Sequence, residues 1–402
     1  MMRFFAPIVL FSALSLSAQE SYSGISVPVT VSAGVMDTQR LELSDPSNSA
    51  ATPGLRAMLY PSLQLGPNWF AYAAVQVLLA PYFYYDAYDP EHEWYTDVIQ
   101  AYAGYAVRGD KTSFVVKAGR LSSAFGAFPL HYDDAQNPLL DQPLSYIQIT
   151  PLHDNQLACS VAVLVARKSC GGVVGGGYGM TPVTLYGLPG IQAEVSSHRV
   201  DARLQLTSGS PSNPRPTMDA GTYGQWTAGA GYSIRQGFRV GISGFRGPYL
   251  EPFLVPLLPA GTSVRDYPAS AIGADVEWER GRFSATGEWH RFQYDLPGFT
   301  VSPSLQSTYF EVKTVLTPRL FVAARPAWYR AGPATDQTGG HTDQYTSNMG
   351  SYEIGGGVWV NRHQLLKGSY EWLNIENRPG GQFNVWGFEF VTSFRPVDWA
   401  FH

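Results

Sequence analysis

The chain carries residue types that could do chemistry, but not at spacings that chemistry uses. Its eight histidines (His92, His131, His153, His198, His290, His341, His363 and His402) are scattered and form no metal-type pair. There is no Gly-x-Ser-x-Gly elbow to raise a serine nucleophile. The run Gly171 to Gly179, GGVVGGGYG, has the glycines of a phosphate cradle. It lacks the Lys-Ser/Thr that would complete one and sits in no strand–turn–helix context, so it reads as a flexible loop. The segment YYDAYDPEHEW, Tyr84 to Trp94, sets Asp86, Asp89, Glu91 and Glu93 among tyrosines. Carboxylate oxygens suit calcium and aromatic faces suit sugars. The simpler reading is an interfacial aromatic girdle topped by a solvated acidic loop. No cofactor and no metal site is expected.

Charge narrows the field further. A formal net charge of -5 supplies no basic footprint, which argues against nucleic acid as a partner. Only 15% of residues are charged while 45% are hydrophobic, yet the apolar residues gather into no long run. They alternate.

Alternation is the mark of strands with one greasy face. Ile25, Val27, Val29 and Val31 share one face, with Ser26, Thr30 and Ser32 on the other. The same pattern recurs along the chain and predicts about sixteen strands, an even number, as single-chain bacterial barrels require. Five precede a long central connection, the last about Thr112–Gly119; eleven follow it, from about Tyr186–Val195 to Val385–Phe394. Between strands, short turns such as Arg108–Lys111 and Arg280–Gly281 alternate strictly with longer loops. That is the rhythm of periplasmic turns and extracellular loops, and the expected fold is an all-β transmembrane antiparallel barrel.

One connection breaks the rhythm. Residues 121–185 form a third long loop well beyond ordinary length. Its load of Phe125, Phe128, Leu130, Tyr132, Leu139, Leu140 and Tyr146 cannot all face water. We expect it to fold into the lumen as a constriction, with Arg120, Asp133, Asp134 and Asp141 projecting where solutes pass. Gly119 would permit the bend out of the strand. Cys159 and Cys170 both lie in this loop and are expected to form a disulfide in an exported protein. The Pro-rich, apolar loop Gly247 to Gly261 must pack on the barrel mouth, the long loop or a neighbouring subunit.

If the apolar set of each strand faces lipid, the inward set is charged. It comprises Glu194, Asp201, Asp275, Glu277, Glu279, Glu288, Glu311, Glu353, Glu371 and Glu389, against Arg56, Lys117, Arg203, Arg239, Lys313, Arg325 and Lys367. So many charges fit a wet lumen better than a dry core. The excess of acids on neighbouring strands predicts a weak cation preference.

Residues 1–18, MMRFFAPIVLFSALSLSA, have the basic start, apolar core and small final residue of a secretory signal peptide, leaving 19–402 as the barrel. On the last strand, Trp386, Phe388, Phe390 and Phe394 share a face, interrupted by Thr392. This resembles the C-terminal aromatic signature by which outer-membrane barrels meet their assembly machinery. Eight residues follow Phe394, so either that tail hangs in the periplasm or Phe401 is the terminal aromatic.

The stretch VKAGRLSSAFG, with Gly119, Arg120, Phe125 and Gly126, resembles the start of the constriction loop in Gram-negative outer-membrane porins, the phosphate-selective porin-like group in particular. LQLTSGSPSNP and GISGFRGPYLEP resemble other loop starts of such proteins. The resemblance implies a sixteen-stranded, often trimeric barrel in outer-membrane lipid that passes small solutes or ions and is not an enzyme. Phosphate selectivity does not carry over, because a column of inward Lys and Arg is missing. The rival expectations are an outer-membrane barrel enzyme with catalytic groups at the rim, and a closed structural or adhesion barrel.

Overall fold

The computed structural model describes residues 23–37, 51–79, 94–128, 133–147, 150–166, 168–172, 179–183, 187–208, 224–337 and 339–401. The expected signal peptide and the acidic loop Asp86 to Glu93 lie outside them.

Strands dominate. In chain order they are β1 (Ser23–Asp37), β2 (Ala51–Leu59), β3 (Ser62–Leu65), β4 (Trp69–Leu79), β5 (Trp94–Arg108) and β6 (Thr112–Leu121). After the long connection come β7 (Leu188–Ser197), β8 (Val200–Thr207), β9 (Gln225–Arg235), β10 (Phe238–Pro248), β11 (Pro268–Arg280) and β12 (Phe283–Tyr294). The set closes with β13 (Ser304–Thr317), β14 (Leu320–Ala331), β15 (Met349–Asn361), β16 (Gln364–Ile375) and β17 (Gln382–Phe401). Neighbours pair antiparallel, and β17 pairs β1, so the sheet closes on itself.

β2 and β3 are one wall strand broken in the middle. Both pair with β1 and with β4. The break falls at Tyr60-Pro61, where proline has no N–H for the ladder. Counting them together gives a closed barrel of sixteen strands.

The last strand is longer than its apolar pattern suggested. Residues 395–401 do not hang free; they continue β17 against the start of β1, with Val397 opposite Val27 and Phe401 opposite Ser23. The register slips between Val27 and Val29. That places Pro28 and Pro396 at the irregularity, where a missing donor costs least.

Alternation sorts side chains to the two faces. Ile242, Ile272, Leu204 and Phe388 are among many large apolar residues exposed on the outside. The expected inward charges Arg56, Asp275, Glu288, Arg325, Glu353, Lys367, Glu371 and Glu389 are all buried on the other face. The inward face is not polar throughout, however. Toward the loop ends of β10 to β14, inward positions carry Phe245, Phe292, Tyr294, Leu305, Tyr309 and Tyr329, which share one apolar core with Phe125, Phe128, Leu144, Tyr146, Leu152 and Leu157 of the long connection.

Candidate functional site

The long connection is fastened to inward-facing side chains at two places. The first involves β8, β10, β12 and β13. Gln205 donates to the Ser122 carbonyl (2.7 Å) and accepts from Ala124 N (3.2 Å), while Arg203 donates to the Ala124 carbonyl (2.8 Å). Ser243 accepts from Gly126 N (3.1 Å). Glu288 is the hub. Its Oε1 accepts from Phe128 N and from the Tyr309 hydroxyl, both at 2.7 Å. Its Oε2 accepts from the Tyr146 hydroxyl at 2.8 Å and lies 2.7 Å from His290 Nε2.

A buried carboxylate needs such partners to offset its desolvation. Burial first, and Glu288 second, push the Tyr146 phenol well above its ordinary pKa, so it stays a donor. Phe125 packs beside this hub, with ring centroids 5.1 Å from Phe245, 5.0 Å from His290 and 5.8 Å from Phe292. Gly126 has φ +74°, and a Cβ there would collide with the Tyr146 hydroxyl and approach Glu288 Oε2 to 2.8 Å. Only glycine meets both demands.

The second place involves β1, β2 and β14 to β17, which receive residues 133–142. Asp134 pairs with Arg56 (3.0 Å) and accepts from Ser32 Oγ (2.8 Å). Lys367 donates to the Asp134 and Asn137 carbonyls (2.6 and 3.2 Å) and pairs with Glu389 (2.7 Å). Glu353 Oε1 accepts from Leu140 N (3.1 Å) and Asp141 N (3.2 Å). Its Oε2 pairs with Arg325 (2.6 Å), which also bonds the Asp141 carbonyl (2.5 Å) and Glu311 (3.1 Å). Asp133 accepts from the Tyr60 hydroxyl at 2.8 Å. Burial raises its pKa most, the neighbouring Asp134 next, and the Ala135 N–H pulls it down.

The residues expected at a constriction therefore divide. Asp134 and Asp141 are buried, at 6% and 2% exposure. Arg120 instead pairs with Asp97 of β5 at 3.3 Å. It belongs to a third group, reached by water. Lys117 pairs with Glu194 at 2.6 Å, and Arg239 pairs with Asp201 (2.8 Å), Asp275 (2.7 Å) and Glu277 (3.5 Å). Lys313 lies over the Phe321 ring, 4.5 Å from its centroid, and Glu279 is exposed near the turn end of β11.

Outside these groups, Cys159 and Cys170 form the expected disulfide, with Cα atoms 5.9 Å apart. It sits beside a short helix, α1 (Val161–Val165), capped by Ser160. The Pro-rich loop packs on this connection: Leu250, Leu254 and Leu258 join its core, and Glu251 N donates to the Asp154 carbonyl at 2.8 Å. On β17, Phe388, Phe390 and Phe394 are exposed outward, and Glu389 between them is buried inward.

Sequence reasoning missed His290, Tyr309, Gln205 and Ser243 as partners of the connection. His290 was legible in part, since it lies two residues from Glu288 and so shares its face. Among the described residues, no group of three His, Cys, Asp or Glu is placed to hold a metal.

No protein-family model and no curated protein matches the sequence. Solved structures do resemble it. OmpF of Salmonella typhi, in complex with daunomycin, is 10% identical and aligns over 92% of this chain and 97% of its own, with a TM-score of 0.57. The outer-membrane channel DcaP of Acinetobacter baumannii is 7% identical over 94% of this chain and 99% of its own, at 0.54. The trimer form of OmpT, an outer-membrane protein of Vibrio cholerae, is 8% identical over 92% and 99%, also at 0.54. At such identities the likeness concerns architecture, and the fold of this chain is the porin-like barrel.

Proposed function

We propose that the protein is an outer-membrane channel through which small hydrophilic solutes diffuse, without chemistry of its own. The observation that carries this reading is a closed sixteen-strand barrel, apolar outside, with partly exposed ion pairs on its inward face. Charged side chains that water reaches inside a closed sheet have little use in a purely structural barrel. In this reading the connection 121–185 folds into the lumen and narrows it, which its bonds to Glu288, Glu353, Arg56 and Lys367 support. Arg239 faces three carboxylates, which favours a weak cation preference. Cleavage of residues 1–18, recognition of Trp386, Phe388, Phe390 and Phe394 by the assembly machinery, and a homotrimeric state complete the proposal.

The test is planar-bilayer recording of protein extracted from outer membranes, run beside a detergent gel of boiled and unboiled samples. Steady channels, and faster migration when unboiled, are expected. A folded barrel that conducts nothing would refute the channel. Replacing residues 122–141 by a Gly-Ser linker should raise single-channel conductance; unchanged conductance in an assembled barrel would place the connection outside the pore.

A further inference from the structure

The channel reading leaves open where in the lumen solutes travel and which solutes gain from the route; the inference here rests on that reading. Among the described residues, the inward ion pairs in which both side chains are more than a tenth exposed lie on one side, in three levels. Nearest the long loops, Arg120 of β6 pairs with Asp97 of β5 at 3.3 Å, with side chains 28% and 19% exposed. Further along the same strands toward the short turns, Lys117 pairs with Glu194 of β7 at 2.6 Å, 13% and 21% exposed. At the turn ends, Arg239 of β10 pairs with Asp201 of β8 at 2.8 Å, 20% and 39% exposed. Across the barrel, Arg325–Glu353 and Lys367–Glu389 are sealed, at 2% exposure or less.

We infer that solutes pass off the barrel axis, along β5 to β10, and that this route favours small solutes carrying both an ammonium and a carboxylate, the amino-acid class. Every level offers a cation and an anion in contact, and at the turn ends Arg239 also meets Asp275 (2.7 Å) and Glu277 (3.5 Å). At the Arg120–Asp97 and Lys117–Glu194 levels a singly charged solute must break a pair to bind, and then leaves the displaced partner uncompensated; attraction and repulsion there nearly cancel. A neutral solute gains nothing by exchange. A zwitterion can open a pair and satisfy both halves, its carboxylate on the cation and its ammonium on the anion, so no charge is stranded. Repeating that exchange at three levels gives favourable entry without one deep trap, the condition for conduction.

Liposome swelling with the full-length protein tests this. Alanine, a zwitterion, is compared with lactamide, a neutral solute of similar size. Alanine should enter about threefold faster, the scale set by one partly exposed ion pair. The double variant Lys117→Gln/Glu194→Gln, which leaves no charge stranded, should bring the two rates toward parity while potassium chloride conductance persists. Asp97→Asn/Arg120→Gln serves the same purpose if the first variant does not assemble. Equal rates in the unaltered channel, or an alanine advantage undiminished in both double variants, would overturn the inference. A folded protein that conducts no salt would instead overturn the channel reading beneath it.

Discussion

Two sectors of one barrel put the same residue types to different use. On β12 to β17 and β1 to β2, most inward carboxylates and cations are buried, and several fasten the long connection: Glu288 to Phe128 and Tyr146, Glu353 to Leu140 and Asp141, Lys367 to Asp134 and Asn137. On β5 to β7, and at the turn ends of β8, β10 and β11, they pair with charges on nearby strands and share water. The difference teaches that inward polarity alone does not make a wet wall. A charge becomes an anchor where a segment of backbone arrives with donors and excludes water. Otherwise it remains a solvated pair worth little to stability.

The sharpest way to break this comparison is to delete a hub on the dry side. Glu288→Leu removes the acceptor shared by Phe128 N, Tyr146, Tyr309 and His290. Each donor left buried and unpaired costs about 1–3 kcal/mol, so the variant should lose several kcal/mol or fail to assemble. Glu288→Gln, which keeps part of the acceptor set, should be milder. The temperature at which the heat-modifiable gel band converts reads both. A Leu variant as stable as the original would mean that the hub is not an anchor.

Cutting the disulfide tests whether the connection holds without its staple. Cys159→Ser/Cys170→Ser should cost the connection about 2–4 kcal/mol by freeing its unfolded conformations. The barrel itself should persist, so limited proteolysis should nick within 150–183 while the gel shift survives. Loss of the gel shift would show that the closed sheet depends on the bridge.

Gly126→Ala probes the hub from the connection's side. The added methyl meets the Tyr146 hydroxyl and Glu288 Oε2, and overpacking of that kind costs about 1–3 kcal/mol. Lower thermal conversion is expected, with conductance disturbed by displacement of residues 124–128. Lys117→Gln on the wet side should do the reverse. Its pair with Glu194 is partly exposed and contributes about 1 kcal/mol or less, so stability should barely move. Removing that cation should shift the reversal potential toward cation preference. A variant that destabilises the barrel as much as Gly126→Ala would erase the contrast between the sectors.

Much of the barrel was legible in the sequence because its constraints are local. Period-two alternation and the rhythm of turns located the strands, and the parity of Glu288, Arg325 and Glu353 sets each opposite the apolar face of its strand. The break at Tyr60-Pro61 needed only the missing donor of Pro61. The pairing of residues 395–401 was harder, since Arg395 and Pro396 interrupt the pattern and the bulge that absorbs them is a property of two strands together. The site was least legible. That Asp134 meets Arg56 depends on contacts 78 residues apart in sequence, made by a segment with no periodicity. Composition could say that Phe125 and Tyr146 must be buried, but not that they would dry out one sector and leave Arg120, Lys117 and Arg239 in water.

The finest effect should come from Asp133, at the edge of the dry sector. Burial, and then the Asp134 carboxylate, raise its pKa above the ordinary value, against the pull of the Ala135 N–H, the Tyr60 hydroxyl and Arg56. The sign follows from linkage. Between the ordinary pKa and the raised one the fastened connection binds the proton more than a released one does, so fastening weakens as pH rises through that window. Its contribution is fully present below the ordinary carboxylate value and is lost above the raised one. Hydrogen-exchange protection of the Ala135 and Asn137 amides should therefore fall from acid toward neutral pH. In Asp133→Asn, which cannot ionise, the slope should flatten. Protection that instead rises with pH would mean that the charged form is the anchored one, and that Tyr60 and Arg56 outweigh burial at this position.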